Sequence, residues 1–88
     1  MRLKADFEIV EIADEYLAIP VGEMATFFHG VIALSEPAAF ILRQMKESKS
    51  QRELCELIVN EYNIDVATAE IDVKGFVSKA IEIGLIEE

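Results

Sequence analysis

One cysteine, one histidine and eight basic residues in a chain of 88 each close off a class of explanation. Cys55 has no partner for an intrachain disulfide, so the fold must rest on packing, and a reducing cytoplasm is the expected setting. A metal centre needs several convergent ligands, and His29 has neither a second histidine nor a cysteine companion in the sequence pattern; it reads as a turn or surface residue. With 8 Lys+Arg against 17 Asp+Glu the formal charge is -9, which repels nucleic-acid phosphates and anionic lipid and favours a basic peptide or basic protein face as partner. Long apolar runs are missing too. The longest uncharged stretch, Met24 to Ser35, falls well short of the roughly 18 residues of a membrane span, and "MRLKADFEIVEI" contains no signal-peptide core. There is no repeat, low-complexity tract or Gly/Ser/Pro linker, so a single domain over residues 1–88 is expected. Carboxylates are abundant, yet no second catalytic group or cofactor motif accompanies them, so neither an enzyme nor a cofactor is expected.

What the chain does have is core material: 52% of residues are hydrophobic, while 28% are charged. "FEIVEI" (Phe7 to Ile12) and "YLAIPV" (Tyr16 to Val21) have strand chemistry, with Ala13, Asp14 and Glu15 as a hairpin turn between them. Pro20 lacks an N–H and suits a strand end, and Gly22 permits the turn that follows. A third strand is expected at "GVIAL" (Gly30 to Leu34); Ala25 to Phe28 either extends the second or third strand or forms an irregular crossover.

The period then changes to a helical one. Ser35 is an N-cap, Glu36 suits the first-turn dipole, and Pro37 is tolerated where N–H groups have no intrahelical acceptor. Ala38, Ile41, Leu42 and Met45 form the stripe of this first helix, with Phe40 pointing elsewhere, so it should pack on two sides. After a polar break at Lys46 to Lys49, "SQRE" matches a capping box with Ser50 and Glu53 reciprocating. The second helix buries Leu54, Leu57, Ile58 and Tyr62, and Asn63 to Asp65 turn and cap the third. That helix runs from about Val66 with a core face of Val66, Ala69, Val73, Phe76, Val77 and Ala80, and ends at Gly84 with Leu85 and Ile86 folding over its end. The order predicts an α+β, winged-helix-like domain: a three-stranded antiparallel N-terminal sheet followed by a three-helix bundle.

Three passages carry a family resemblance: the "PVGE" turn (Pro20 to Glu23), "GVIALSE" (Gly30 to Glu36), and Asp72, Val73, Phe76 and Val77 on a helix ending in "GLI". The chain resembles the PqqD-like family, the peptide-modification chaperones or RiPP recognition elements of natural product biosynthesis, over nearly its whole length. The resemblance implies a non-catalytic domain that binds the leader of a ribosomally made precursor peptide and presents it to a modifying enzyme, often a radical S-adenosylmethionine protein. The leader would add as a strand beside the third strand, over a groove walled by the third helix. Carried onto this sequence, the edge is His29, Gly30, Val31, Ile32, Ala33 and Leu34, where no formal charge or proline blunts the strand. Either Val31 with Ala33 or Ile32 with Leu34 faces the core, and the groove wall is one flank of the third helix, Lys74 with Ile81 or Lys79 with Ile83. The same open strand can pair with a second copy as a homodimer.

Blander and rival readings stand beside this one. Cys55 flanks the second helix's stripe and reads as a packing residue rather than a nucleophile. Arg43, Lys46, Lys49 and Arg52 gather around the end of the first helix and the start of the second, either as a solvated turn in which Arg43, Lys46 and Lys49 complement the first helix's dipole or as a docking patch for a partner enzyme. A winged-helix DNA-binding regulator would read DNA with the third helix, but Glu70, Asp72 and Glu82 there outnumber Lys74 and Lys79. An acidic carrier protein would need a "DSL" attachment serine, which is absent, and would not contain the strands.

Overall fold

The computed structural model describes residues 1–27 and 30–88. Its elements are β1 (Arg2–Leu3), β2 (Phe7–Ile12), β3 (Glu15–Pro20), α1 (Met24–Phe27), β4 (Ile32–Leu34), α2 (Glu36–Gln44), α3 (Gln51–Tyr62), α4 (Val66–Glu82) and β5 (Ile86–Glu87). The expected first, second and third strands are β2, β3 and β4, an antiparallel sheet in that order. The three expected helices are α2, α3 and α4. The α+β architecture is therefore as the sequence indicates.

The β2–β3 hairpin closes on two residues, not three. Ala13 and Asp14 both take positive φ (51 and 66), as the tight turn matching strand twist requires, and Glu15 already pairs with Ile12 in the ladder. The third strand is shorter than Gly30 to Leu34: Gly30 bends at φ 117, Val31 leads in, and pairing covers Ile32 to Leu34. Met24 to Phe27 is a helical turn instead of a strand extension. The Gly22 carbonyl accepts from the Ala25 N–H at 3.2 Å and the Glu23 carbonyl from the Thr26 N–H at 3.0 Å, and the Thr26 hydroxyl also donates to Glu23 O at 2.6 Å. These local bonds draw the segment away from a ladder. Phe28, the end of that expected extension, lies outside the described residues.

Caps define the helices as the sequence indicates. Ser35 Oγ accepts from the Ala38 N–H at 3.2 Å, and Ser50 and Glu53 complete the capping box at 3.1 and 2.9 Å. Asn63 ends α3 in the left-handed conformation, and Asp65 Oδ1 accepts from the Thr68 N–H at 2.6 Å to begin α4. At the far end Gly84 N–H donates to Ile81 O at 3.1 Å and Leu85 N–H to Ala80 O at 2.9 Å, a full Schellman closure with Gly84 at φ 84.

The core is built from Leu42, Met45, Leu54, Ile58, Val73, Val77, Leu85 and Ile86, with Phe7 and Ala18 from the sheet. Phe40 leaves the main stripe to meet Tyr62 edge to face at 5.7 Å, joining α2 to the end of α3. Three expected core positions shift. Leu57 is only half-buried and stands outside the core cluster, Cys55 taking the buried place on α3. Val66 is 58% exposed, because as the first residue of α4 it sits beside the end of α3 and lines a groove rather than the centre. Ala39, not Ala38, is fully buried on α2. Two short strands escape sequence reading altogether. β1 and β5 pair antiparallel, Leu3 opposite Ile86, and Leu3 N–H donates to Met45 O at 2.8 Å. The first residues thus lie between β5 and the α2–α3 connection, where Met1 O and N bond Lys49 at 2.8 and 3.0 Å.

Candidate functional site

β4 is the last strand of its sheet: it pairs with β3 on one side (Tyr16↔Leu34, Leu17↔Ala33, Ala18↔Ile32), and no described strand pairs with the other. Its outer backbone N–H and C=O groups are thus a template for an extended segment. An occluding strand on that side, which would remove the site, is not found among the described residues.

Alternation along β4 is resolved by packing. Ile32 and Leu34 pack against the core, whereas Ala33 is exposed and Val31 is 52% exposed. Gly30 is exposed, and at its φ of 117 a side chain would be strained although there is room for one. His29 lies outside the described residues.

The α4 candidates divide between two flanks. Lys74 lines a groove made by α3 and α4 alone, together with Val59, Val66 and Glu70, above buried Cys55. Ile81 shares that α3-facing flank by helical phase, at about 100° per residue. Lys79 and Ile83 stand on the other flank, next to Phe76, which is half-buried against the core. Ile81 and Ile83 are 38% and 39% exposed. Sequence reasoning missed Phe76 as a member of this second flank by counting it wholly into the core.

Cys55 is buried, its Sγ 3.9 Å from Ala69 O, and burial, aided by Glu70 and Glu56, pushes the thiol up. It packs, as expected. The basic residues near the end of α2 have different neighbours. Arg43 sits over the Tyr16 ring at 5.6 Å, Lys49 meets Glu47 at 3.8 Å, Arg52 meets Glu56 at 3.5 Å, and Lys46 borders the N-terminal segment with Arg2 and Lys4. Along α4, Glu70, Asp72 and Glu82 are exposed, which would repel a DNA backbone. Among the described residues no group of three or more His, Cys, Asp or Glu is placed to hold a metal ion, and no helix is long and apolar enough to cross a membrane.

The profile of the PqqD family, described as coenzyme PQQ synthesis protein D, matches residues 15–86. Two solved structures share the fold. One is TbiB1 in complex with the TbiA(β) leader peptide, 22% identical, TM-score 0.76, covering 99% of this chain and 95% of that one. The other is lasso peptide synthetase B1 complexed with the leader peptide, 17% identical, TM-score 0.73, covering 99% and 96%. No protein of curated function matches the sequence.

Proposed function

We propose that this chain, which belongs to the PqqD family, is a non-catalytic chaperone that takes the leader of a ribosomally made precursor as an added strand on β4 and presents it to a modifying enzyme. The observation that carries this is the unpaired outer side of β4. The leader complexes formed by both structural neighbours support it, and a radical S-adenosylmethionine enzyme is the partner the family resemblance implies. The whole span 1–88 acts as the peptide-binding unit, working in the cytoplasm where precursors are made.

Backbone pairing alone is too weak. Each added hydrogen bond contributes about 1 kcal/mol net, whereas micromolar affinity needs about 8 kcal/mol. Apolar anchors must supply the rest. The wall of the groove, on this reading, is the α4 flank that carries Phe76, Lys79 and Ile83, because Lys74 of the other flank lines a groove with α3. Gly30, Val31 and the β4 residues form the opposite lip.

Titrating the chain with the synthetic leader of the precursor encoded beside its gene, followed by calorimetry and amide NMR, tests this. Shifts should concentrate at Ile32, Ala33 and Leu34. Ile83→Glu should weaken binding about ten-fold, a loss of about 1.4 kcal/mol, while Ile81→Glu leaves it unchanged. Absence of any shift at residues 30–34 with every neighbouring leader would refute the assignment.

A further inference from the structure

Leader docking leaves the outer face of the β2–β3–β4 sheet unexplained. Residues directly opposite in an antiparallel ladder share a face. The row Ile9↔Ala18↔Ile32 points to the core, so the row Val10↔Leu17↔Ala33 points away from it. Alternation adds Ile12 and Ile19 to this outer face, with Val31 beside it. Val10, Leu17 and Ile19 are partly exposed, Ile12 is 54% exposed, and none of the four belongs to the core cluster or to the residues packed on it. On the opposite, core-facing side, α2 reaches the sheet through Arg43 over Tyr16.

Charge identifies what fits this face. Residues 5–42, which contain the entire sheet, hold seven of the 17 carboxylates and none of the 8 lysines and arginines. Two of those carboxylates share the outer face: Glu8 opposite Ile19 and Glu15 opposite Ile12, both exposed. A second copy laid face to face would press these acids against their own kind, with no lysine or arginine in the ladder itself and with Arg2, Lys4 and Lys46 bordering only Glu8 of the two, at the β2 edge. The complement is an apolar surface rimmed by lysine and arginine.

We propose that this outer sheet face, centred on Leu17 and framed by Glu8 and Glu15, docks a basic-rimmed apolar surface of the peptide-modifying enzyme while β4 holds the leader. The inference rests on the leader-binding reading and names where the second partner sits. The two sites do not compete, because strand addition extends the sheet in its own plane and docking covers the plane itself. A face of three short strands is small for a protein interface, which suits a partner that must be released after each peptide.

The test uses the full chain and the purified modifying enzyme encoded beside its gene. Hydrogen exchange should slow across Phe7 to Ile12 and Glu15 to Pro20 when enzyme is added, and added salt should weaken the complex. Ile12→Lys and Leu17→Thr should each weaken enzyme binding by about ten-fold and leave leader affinity unchanged, which also reports that both variants fold. Unchanged enzyme binding in both variants, no enzyme binding by the wild type, leader protection of this face, or a dimer that the two variants dissolve would each overturn the proposal. Enzyme protection of β2 and β3 without any leader effect at β4 would instead remove the leader reading alone.

Discussion

At Ala13 the backbone adopts φ 51, a left-handed conformation that an L side chain disfavours, and Asp14 follows at φ 66. Asn-Gly is the pair suited to such a turn, so the double change Ala13→Asn with Asp14→Gly should raise stability by about 1 kcal/mol in urea unfolding. The caps offer a second residue-scale test. Hydrogen bonds from Ser50 hold the Glu53 carboxyl below its ordinary range, and those from Thr68 do the same for Asp65. A carboxylate whose folded pKa is depressed contributes stability above its unfolded pKa and loses it as the pH falls through the folded value. Unfolding free energy should therefore be flat on these two groups' account near neutrality and decline in acid. Asp65→Asn, which keeps the cap, should shrink that decline when denaturation at neutral and at acid pH is compared. Cys55 belongs to the same scale. Its raised pKa and burial predict that a thiol reagent modifies it slowly in the native protein and rapidly once urea unfolds the chain.

Among the elements, the helices were legible in the sequence because their ends are written in side chains: Ser35, Ser50 with Glu53, Asp65 and Gly84 each occupy the position that capping chemistry predicts. Ser35→Ala should cost about 1 kcal/mol, seen as a drop in thermal midpoint, with the leader site impaired less than the stability. The sheet was legible in outline only. β2 and β3 alternate enough to be found, but which side of β4 faces inward depends on packing against the core, which no three-residue strand encodes. β1 and β5 have two residues each, too few for any period to register. Ala25 to Phe28 was ambiguous because its residues suit several conformations, and over its described part local hydrogen bonds decided the outcome as α1. The free edge of β4 was legible as an uncharged strand without proline; which flank of α4 faces α3 was not, since it depends on where α3 lies.

For the molecule as a whole, the uneven charge is the dominant electrostatic feature: residues 5–42 hold seven carboxylates and no lysine or arginine, while the cations lie at the N-terminal edge, on the helices and in the α2–α3 connection, with Arg2, Lys4 and Lys46 bordering β2. A ligand bound only by the folded form stabilises it with the logarithm of its concentration over Kd, by about 2.7 kcal/mol at a hundred-fold excess over Kd. Saturating leader should therefore raise the thermal midpoint by several degrees, with a smaller rise for Ile83→Glu. The antiparallel pairing of Arg2 with Glu87 has a further consequence. With the two extremities of the described chain already side by side, an intein-made circle closed by a few glycines would need no rearrangement and would remove the freedom of both tails in the unfolded ensemble. Such a ring should melt later than the open form, still accept the leader, and resist digestion from either extremity.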